Sequence, residues 1–375
     1  MIALVYPQFY GVGGIARYLD SFLANLPAGH PPVFVITGDE AREPRDYPGV
    51  ELVHVAIQPG RLGLFRWGLE VRRLLRGMHA SGQIQVVNFH FPPLIPGLFL
   101  PAEIPMLLTA HTTYLGMSGG FYPQRYFTSP WGRLSVAIKK WMEHRIFAKA
   151  AAVVTLTEQG RQEVVQYGYP RSVAVIPNGV DVTRFVPERN AEKQIDVLFA
   201  GRVEIRKGSR PMVDFCRELV ARKPDVRICI VGYGDDDDYV RRELAPLAAN
   251  VRLAGKVPFA EMIGFYRQSR TYVSTSYYEG LPGTCLEAMA MELPVVAWDF
   301  LFYHGLVVPG VTGRLIEPNA IGVMAQEVLG LLDDPERATA MGQAGRAQLE
   351  HGYAWHELSG RIIEQMVSIA SGGQA

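Results

Sequence analysis

Short apolar runs alternate with amphipathic helical patterns along the whole chain. In the first half the apolar runs are IALVYP, VFVIT, QVVNFH, MLLTAH and AVVTLT, separated by patterns such as GLEVRRLLRGMHA and RLSVAIKKWMEHRIFAKA. The alternation restarts in the second half with DVLFAGR, RICIVG, VRLAG, TYVSTS, PVVAW and GRLIEP. Strands that alternate with helices indicate parallel sheets covered on both faces. We therefore predict an α/β protein of two Rossmann-like, doubly wound domains that face a central cleft.

A turn-rich stretch separates the two halves. Residues 175–194, VIPNGVDVTRFVPERNAEKQ, are polar and lack a long hydrophobic period, which is typical of a linker. With 375 residues the chain is also too long for one ordinary hydrophobic core. We predict an N-terminal domain over residues 1–180, a C-terminal domain over 181–350, and a final helix over 351–375 that packs back toward the N-terminal domain.

The composition excludes several protein classes. Apolar residues make up 48% and charged residues 20%, which is typical of a globular protein. The three cysteines are widely spaced and give neither a disulfide framework nor metal-ligand spacing, so we expect a cytoplasmic protein. The N-terminus lacks a basic region and predicts a first strand rather than a signal peptide. The most apolar window, residues 91–108, contains five prolines, which excludes a simple membrane-spanning helix.

The net charge of zero conceals a basic region. Residues 61–149 carry eleven lysines and arginines against three acidic residues. Within this region, residues 61–80 form a basic amphipathic pattern that includes Trp67, and residues 131–149 form a related pattern that includes Trp141. Such helices bind anionic lipid surfaces, but a helix that only covers a sheet, with its arginines in water, shows the same pattern. Peripheral contact with the inner face of a membrane is one expectation, and simple cover of the first sheet is the other.

A glycine-rich stretch follows the first apolar run. It contains Gly11-x-Gly13-x-x-Ala16, which matches a dinucleotide fingerprint, and the acidic TGDE at residues 37–40 closes the next apolar run. In a dinucleotide domain the first glycine follows the strand closely, whereas residues 7–10 intervene here. Because a lone fingerprint is weak, an NAD-dependent enzyme is an alternative rather than the main prediction.

The stretch EGLPGTCLEAMA, residues 279–290, carries the most informative chemistry. Glu279 ends a strand region, a turn follows, and Glu287 falls in the first turns of the next helix. The main-chain N–H groups of Gly283 and Thr284 would lie at the positive N-terminus of that helix, which is an anion site. Carboxylates are suited to accepting hydrogen bonds from hydroxyls. The pattern therefore indicates a diphosphate ligand with a sugar at each end.

A second stretch agrees with a diphosphate ligand. In FAGRVEIRKG, residues 199–208, Arg202 and Lys207 lie on the loop that leaves a predicted strand. A planar guanidinium and a compact ammonium together can neutralise a pyrophosphate leaving group. A glycine turn at Gly232 follows another predicted strand. Residues 235–238, four aspartates in a row, predict a solvated loop rather than a metal site.

Two histidines lie close to predicted strand ends. His111 follows the run MLLTA, at the carboxyl end of a strand, where functional sites collect. A structural histidine satisfied by hydrogen bonds is the alternative for His111. His90, in NFHFPP, fits a packing role as well as a functional one.

Taken together, these stretches resemble the family 4 glycosyltransferases, which are retaining enzymes of the GT-B fold. The matching pieces extend over nearly the whole chain: the glycine-rich loop at 11–14, TAHTT, VIPNGVDVTRF, GRVEIRKG, VGYG and EGLPGTCLEAMA. The resemblance implies transfer of a sugar from a nucleotide-sugar with net retention, without a cofactor and without an obligatory metal. It also implies that the second domain binds the donor and the first binds the acceptor.

The resemblance also implies roles for single residues. Arg202 and Lys207 hold the diphosphate, Glu287 binds the ribose of the nucleotide, and Glu279 lies by the donor sugar.

Further assigned positions lie on loops and at a strand end. Gly13 and Gly14 place main chain against the donor phosphate, and His111 lies near the sugar at the reacting face. The remaining donor-binding residues are Gly232, Gly283 and Thr284.

The sequence departs from the family in one segment. After PVVAWD, members usually continue with a glycine pair and then a glutamate, whereas this chain reads FLFYHGLVVPGVTG. Gly305 stands about where that acid would fall, and Phe300, Phe302 and Tyr303 replace small residues. We expect turnover or donor choice to differ from the common pattern.

We expect a hexosyltransferase that acts on a glycan or lipid-linked acceptor, in cell-envelope polysaccharide, lipopolysaccharide or glycolipid assembly, without a nucleic-acid partner. A nucleotide-sugar epimerase or an NAD-dependent dehydrogenase is one alternative. A non-catalytic nucleotide-sugar-binding protein is another, and the missing acid near Gly305 keeps it open. The sequence does not identify the sugar, the base or the acceptor.

Overall fold

The computed structural model describes residues 1–11, 13–40, 46–118, 129–188 and 191–372. These residues form two units. The first, called the N-terminal unit, runs to Gly179 and resumes at Trp355. The second, the C-terminal unit, is Val180–Ala354. Each is a parallel sheet flanked by helices, which confirms the predicted α/β class and its two Rossmann-like folds.

The N-terminal unit contains a seven-stranded parallel sheet of strand order β3-β2-β1-β4-β5-β6-β7. Its strands are β1 (Ile2–Val5), β2 (Val33–Thr37), β3 (Val50–His54), β4 (Val86–Phe91), β5 (Met106–Ala110), β6 (Ala152–Thr155) and β7 (Val173–Val175). The five strands predicted from apolar runs are confirmed. The sequence patterns missed β3 and β7, because both are edge strands whose side chains are only partly buried.

The helices of this unit before the crossing to the second unit are α1 (Gly14–Ala24), α2 (Gly63–Ala80), α3 (Tyr114–Met117), α4 (Pro130–Phe147) and α5 (Glu158–Gln166). The N-terminus of α4 is fixed by local chemistry. The Ser129 side chain accepts a hydrogen bond from the Gly132 N–H at 3.0 Å, and proline occupies the first helical position.

The face of α2 that covers the sheet is apolar. Trp67, Val71, Leu75 and Met78 recur every three or four residues and are buried, and each such burial contributes about 1.5–3 kcal/mol. The Trp67 indole also donates a hydrogen bond to the Val55 carbonyl at 2.7 Å. The Trp67 ring therefore belongs to the core, which agrees with the alternative that this helix covers the first sheet.

The C-terminal unit contains a six-stranded parallel sheet of order β10-β9-β8-β11-β12-β13. Its strands are β8 (Ile195–Ala200), β9 (Ile228–Val231), β10 (Val251–Gly255), β11 (Ser269–Ser274), β12 (Val295–Trp298) and β13 (Gly313–Ile316). Its helices are α6 (Ser209–Arg222), α7 (Asp237–Leu244), α8 (Phe259–Arg267), α9 (Gly283–Ala290), α10 (Ile321–Asp333) and α11 (Pro335–Gly352). All six predicted strands are confirmed.

The last helix, α12 (Trp355–Ala370), packs on α1, β4 and β5 of the N-terminal unit. Trp355 packs edge-on against Tyr18, with ring centroids 5.0 Å apart. The Ser359 hydroxyl donates to the Phe22 carbonyl at 3.3 Å. Among the helices in the described ranges, none is long and apolar enough to cross a membrane.

The strand order places one crevice in each unit. In the N-terminal unit the order reverses between β1 and β4, and in the C-terminal unit it reverses between β8 and β11. Connections from such a pair leave toward opposite faces of the sheet, which opens a crevice beyond their carboxyl ends. Loops that follow β1, β4, β8 and β11 are therefore the ones that can line a site.

Gly232→Ala is expected to destabilise the protein by about 2 kcal/mol or more. Gly232 has a φ of +145°, and an added Cβ would lie 1.7 Å from the Gly201 carbonyl oxygen. Urea unfolding of the full chain measures the effect. Gly264→Ala within α8 is the control, since its Cβ would meet no atom within 4 Å. The control should be neutral or stabilising by about 0.4–1 kcal/mol. Equal free energies of unfolding for the two variants would contradict the predicted steric clash at Gly232.

Candidate active site

Alternating charges line the crevice between β8 and β11 in the C-terminal unit. Lys207 Nζ bonds to Glu279 Oε1, and Arg206 Nη1 lies 3.3 Å from Glu279 Oε2. Arg206 Nη2 also donates to Glu204 at 2.6 Å, and Arg202 Nη2 lies 3.3 Å from the same Glu204 oxygen. Three cations thus share two carboxylates, which leaves an excess of positive charge at this edge.

Glu279 is the buried centre of this chain of charges. Its side chain is 8% exposed, and it also accepts a hydrogen bond from the Ser276 hydroxyl at 2.9 Å. Burial alone raises the pKa of Glu279, but attraction to Lys207 and Arg206 outweighs burial and holds the pKa below its ordinary value. Glu279 is therefore an ionised carboxylate that accepts hydrogen bonds.

Arg202 differs from its neighbours in exposure. The Arg202 side chain is 65% exposed, whereas those of Arg206 and Lys207 are 12% and 20% exposed. A pocket beside β8 and β11 is lined by Gly201, Arg202, Lys207 and Ser276 among others. The structure thus places Arg202 and Lys207 at one pocket, with Arg202 accessible to a ligand.

The N-terminus of α9 lies beside Glu279 in sequence. Gly283 is the first helical residue, after Pro282 in an extended conformation. The first N–H groups of a helix have no intrahelical acceptor, so those of Gly283 and Thr284 can bind an anion. The Thr284 hydroxyl bonds to the Tyr272 hydroxyl at 2.7 Å, which anchors the start of the helix to β11.

Glu287 lies in the second turn of α9 and is buried. It accepts a hydrogen bond from the Tyr266 hydroxyl of α8 at 2.7 Å. Sequence patterns assigned no role to Tyr266, because nothing local links α8 with α9. The contact orients the carboxylate that the sequence analysis assigned to a ribose.

Two glycines allow the loops of this edge to approach each other. Gly208 has a φ of +72°, and an added Cβ would lie 1.8 Å from the Thr275 carbonyl oxygen. Gly232 meets the Gly201 carbonyl in the same way. Only glycine fits either position. The turn at Gly232 packs against the loop that follows β8. This packing alone explains why a glycine is needed at position 232, without a contact to a ligand.

The prediction of a solvated loop at residues 235–238 is wrong for Asp236. Asp236 is buried, and its carboxylate accepts hydrogen bonds from the Ser209 hydroxyl and, at 3.1 Å, from Arg210. It ties the loop after β9 to the start of α6. Asp236 therefore supports the edge of the sheet. The sequence pattern does not distinguish Asp236 from the three neighbouring aspartates.

The atypical segment after β12 is part of the core. Phe302 and Tyr303 are fully buried, and the rings of Phe300 and Phe302 stack with centroids 5.6 Å apart. The Tyr303 hydroxyl bonds to Ser274 Oγ at 2.6 Å. The aromatic residues therefore pack against the end of β11, close in sequence to the segment that carries Glu279.

The loop after β1 in the N-terminal unit is fixed by Asp39. Asp39 accepts hydrogen bonds from the Tyr10 N–H at 2.8 Å and from the Thr37 hydroxyl at 2.6 Å. Asp39 is one of the two acids in the TGDE stretch that matches a dinucleotide fold, and here its carboxylate fixes the protein's own loop.

Gly13 and Gly14 begin α1 at this edge. Gly13 is the N-cap residue and Gly14 the first helical residue, and an added Cβ at either would meet no atom of the described residues within 4 Å. Within the described part of the chain, the space beside both glycines is open. Val12, which belongs to the same glycine-rich stretch, lies outside the described residues.

His111 lies at the carboxyl end of β5 and pairs with His90. His111 Nε2 is 3.0 Å from His90 Nδ1, and His90 Nε2 is 2.6 Å from Asn88 Oδ1. Tyr18 packs edge-on against the His111 ring, with centroids 4.9 Å apart. Burial lowers the pKa of His111 to about 3, and burial together with the facing His111 lowers the pKa of His90 well below its usual value. Both rings are neutral near pH 7.

The structure therefore brings most of the predicted residues together within their own units. Arg202, Lys207, Glu279 and the start of α9 share one edge of the C-terminal sheet. Sequence reasoning missed Arg206, although it directly precedes Lys207 in the same quoted stretch. The available signal was the run E-I-R-K, in which an acidic residue is followed closely by two basic ones.

Two family models match the chain. The model described as "Glycosyltransferase Family 4" matches residues 12–184, and the one described as "Glycosyl transferases group 1" matches residues 182–348. The first falls mainly on the N-terminal unit and the second within the C-terminal unit.

Relatives with assigned activities are similar at moderate identity. The phosphatidyl-myo-inositol mannosyltransferase of Mycolicibacterium smegmatis is 29% identical over 84% of this chain and 79% of its own length. A GDP-mannose-dependent monoacylated alpha-(1-6)-phosphatidylinositol monomannoside mannosyltransferase of Corynebacterium glutamicum is 30% identical over 52% of this chain. That match spans 55% of the Corynebacterium protein, about half its length.

Solved structures share the fold. Sucrose-phosphate synthase from Thermosynechococcus elongatus superposes with a TM-score of 0.82, at 19% identity and 99% coverage of both chains. HepE from Anabaena, solved in complex with UDP and glucose, gives a TM-score of 0.75 at 16% identity, over 98% of this chain and 99% of the other. At these identities the likeness establishes the fold alone.

Glu279→Ala is expected to lower the free energy of unfolding by about 3–5 kcal/mol, because Lys207 and Arg206 lose the carboxylate that compensates their burial. The double variant Glu279→Ala/Lys207→Met should recover part of this loss, since one uncompensated cation is removed. Urea unfolding of the full chain measures both. Glu218→Ala, which breaks an exposed pair with Arg222, is the control and should cost about 1 kcal/mol or less. A double variant no more stable than the single one would contradict the pairing.

Proposed function

We propose that this chain, which belongs to the glycosyltransferases of group 1 and family 4 with their GT-B fold, transfers a hexose from a nucleotide-diphosphate sugar with retention of configuration. The acceptor is a glycan or a lipid-linked sugar, bound by the N-terminal unit, and the donor is bound by the C-terminal unit. The observation that carries the proposal is the chain of charges from Arg202 to Glu279, which has an excess of positive charge at a β–α crevice.

The cations suit the departing diphosphate. Arg202 is accessible, and its planar fork can engage two phosphate oxygens, while Lys207 supplies a compact charge at the same pocket. The N–H groups of Gly283 and Thr284 add the positive end of α9. These groups stabilise the negative charge that develops as the glycosidic bond to phosphate breaks.

The two carboxylates suit the two sugars of the donor. Glu279 is held ionised by Lys207 and Arg206 and can accept hydrogen bonds from hydroxyls of the hexose. Glu287, oriented by Tyr266, is suited to the ribose hydroxyls. His111 offers a neutral ring to the hexose at the reacting face, and Gly13 and Gly14 allow main chain to approach the donor phosphate.

The reaction we propose needs no protein general base. The acceptor hydroxyl attacks the anomeric carbon on the face from which the diphosphate departs, and its proton passes to a phosphate oxygen. No metal or cofactor enters this scheme, because Arg202, Lys207 and the α9 N-terminus supply the charge that a metal would otherwise provide.

A membrane-bound acceptor suits the surface of α4. Trp131, Leu134, Ile138 and Trp141 lie three or four residues apart along this helix and are all exposed, Trp131 at 80% and Trp141 at 58%. Arginines and lysines on the same helix, within the basic region 61–149, favour an anionic bilayer surface. The Mycolicibacterium relative is named for a phosphatidylinositol acceptor, which agrees with a lipid-linked substrate.

Lys207→Ala and Glu287→Ala are each expected to weaken nucleotide-diphosphate binding about tenfold or more, through loss of a charge-assisted hydrogen bond to phosphate or ribose. Isothermal titration with UDP, GDP and ADP first identifies the base. Release of nucleotide from the matching hexose donors, with and without acceptor and with EDTA present, then measures transfer.

Matched controls are Lys223→Ala and Glu218→Ala, two exposed ion-pair residues on or next to α6 that should leave affinity unchanged. Unchanged affinity in both site variants would overturn the site. Altered sugar released without any acceptor would instead indicate an epimerase. Nucleotide binding with an intact donor would indicate a binding protein.

Trp131→Ser/Trp141→Ser is expected to abolish co-flotation with vesicles of phosphatidylglycerol and phosphatidylcholine at low salt, because the apolar stripe of α4 loses its largest side chains. The unaltered chain should float with these vesicles and not with pure phosphatidylcholine. Val323→Ser is the control, at an apolar residue on α10 of the other unit that is 50% exposed, and this variant should float normally. A parent chain that stays at the bottom of the gradient would refute the membrane proposal.

A further inference from the structure

Three buried polar side chains are linked by hydrogen bonds near the carboxyl ends of β4 and β5, and His111 is the last of them. The hydrogen bonds pass from Asn88 through His90 to His111, and all three side chains are buried. The proposed reaction uses only His111. The remaining two residues form hydrogen bonds whose directions can be assigned one after another.

The Asn88 amide sets the first direction. Its Nδ2 lies 3.2 Å from the Leu107 carbonyl oxygen, which can only accept, and 2.9 Å from the Thr109 hydroxyl. The amide nitrogen must therefore face Leu107, and the oxygen Oδ1 must face His90. Since Oδ1 can only accept, His90 Nε2, at 2.6 Å, carries a proton and donates it.

The two histidines set the second direction. A neutral His90 with its proton on Nε2 has a lone pair on Nδ1, so His111 Nε2, 3.0 Å away, must be the donor. His111 Nδ1 then keeps a lone pair. Among the residues that the structure describes, no second hydrogen bond to the His111 ring is seen. A second proton on His90 would place its Nδ1–H against the Nε2–H of His111, and burial opposes a positive charge on either ring.

We propose that Asn88 and His90 are positioning residues that hold His111 in a single neutral tautomer, with its proton on Nε2 and its lone pair on Nδ1. His111 is then an acceptor for a hydrogen bond from a hydroxyl group and cannot act as a proton donor at Nδ1. The identity of that hydroxyl, on the donor hexose, rests on the proposed function. The tautomer itself does not.

Packing reinforces the hydrogen bonds. The Tyr18 ring stands perpendicular to the His111 ring and lies 5.5 Å from that of His90. Trp355 of α12 packs in turn on Tyr18. The main-chain N–H of His111 also donates a hydrogen bond to the Phe91 carbonyl at 3.2 Å, which fixes the main chain that carries the ring. A ring confined in this way loses little freedom when it receives a substrate hydroxyl.

Nitrogen-15 NMR of the full chain, labelled at histidine, tests the tautomer directly. Long-range proton–nitrogen correlations should show that His90 and His111 both carry the proton on Nε2 at pH 7, with no protonation between pH 8 and pH 5.5. A His111 proton on Nδ1, or an imidazolium in that range, would overturn the proposal whether or not any variant folds.

His90→Phe keeps a ring of similar size and removes the acceptor for His111 Nε2. It should release His111 from its single tautomer and lower kcat about tenfold, while nucleotide affinity and KM for the donor change less than twofold. His90→Asn, which can place an amide oxygen near the position of Nδ1, should restore most of kcat and the tautomer.

His30→Phe is the matched control. His30 bonds main-chain carbonyls of Pro31 and Pro48 before β2, and its loss should leave kcat and the His111 signals unchanged. A fall in kcat of His90→Phe with an unchanged His111 tautomer would overturn the positioning role. The expected tautomer in a chain that transfers no sugar would refute the proposed function and still support the hydrogen-bond directions.

Discussion

The C-terminal site depends on one buried carboxylate held between two cations. Removing Glu279 from water costs several kcal/mol, and Lys207, Arg206 and the Ser276 hydroxyl offset this cost. Because these partners follow β8 and β11, the ion pairs fix two loops from different parts of the chain against each other. Close approach of the loops is possible because Gly208 has no Cβ to meet the Thr275 carbonyl. Electrostatics and backbone geometry thus impose the same arrangement.

This arrangement also leaves an excess of positive charge at the edge of the sheet, although two glutamates, Glu204 and Glu279, take part in it. Glu279 is paired with the buried cations Lys207 and Arg206. The most exposed cation, Arg202, shares Glu204 with Arg206. The start of α9 adds a further positive end at the same edge. In the proposed reaction a phosphate meets this positive charge, and Glu279 accepts hydrogen bonds from neutral hydroxyls. The proposed binding and orientation of one donor thus rest on the same chain of ion pairs.

Much of the fold follows from the sequence, and the parts that do not have physical reasons. Inner strands such as β1 and β9 are continuous apolar runs because both sheet faces are covered. The edge strand β3 mixes polar and apolar residues, and the edge strand β7 is only three residues long and partly buried. Single residues of the site were predictable because glycines and charges stand at strand ends. Their pairing was not, since it depends on which strands are neighbours. His90 pairs with Thr109 across β4 and β5, and this register alone brings His90 to His111.

The return of α12 to the N-terminal unit has a consequence for biosynthesis. Trp355 fills the space beside Gly179 and packs on Tyr18, and Ser359 bonds the Phe22 carbonyl across a sequence separation of 337 residues. The N-terminal unit therefore lacks a wall of its core until α12 has been synthesised. The second unit is one continuous segment, so it can complete its own core while the first still awaits its last helix. A nascent chain is thus exposed to misassembly at the surface of α1, β4 and β5 until α12 emerges.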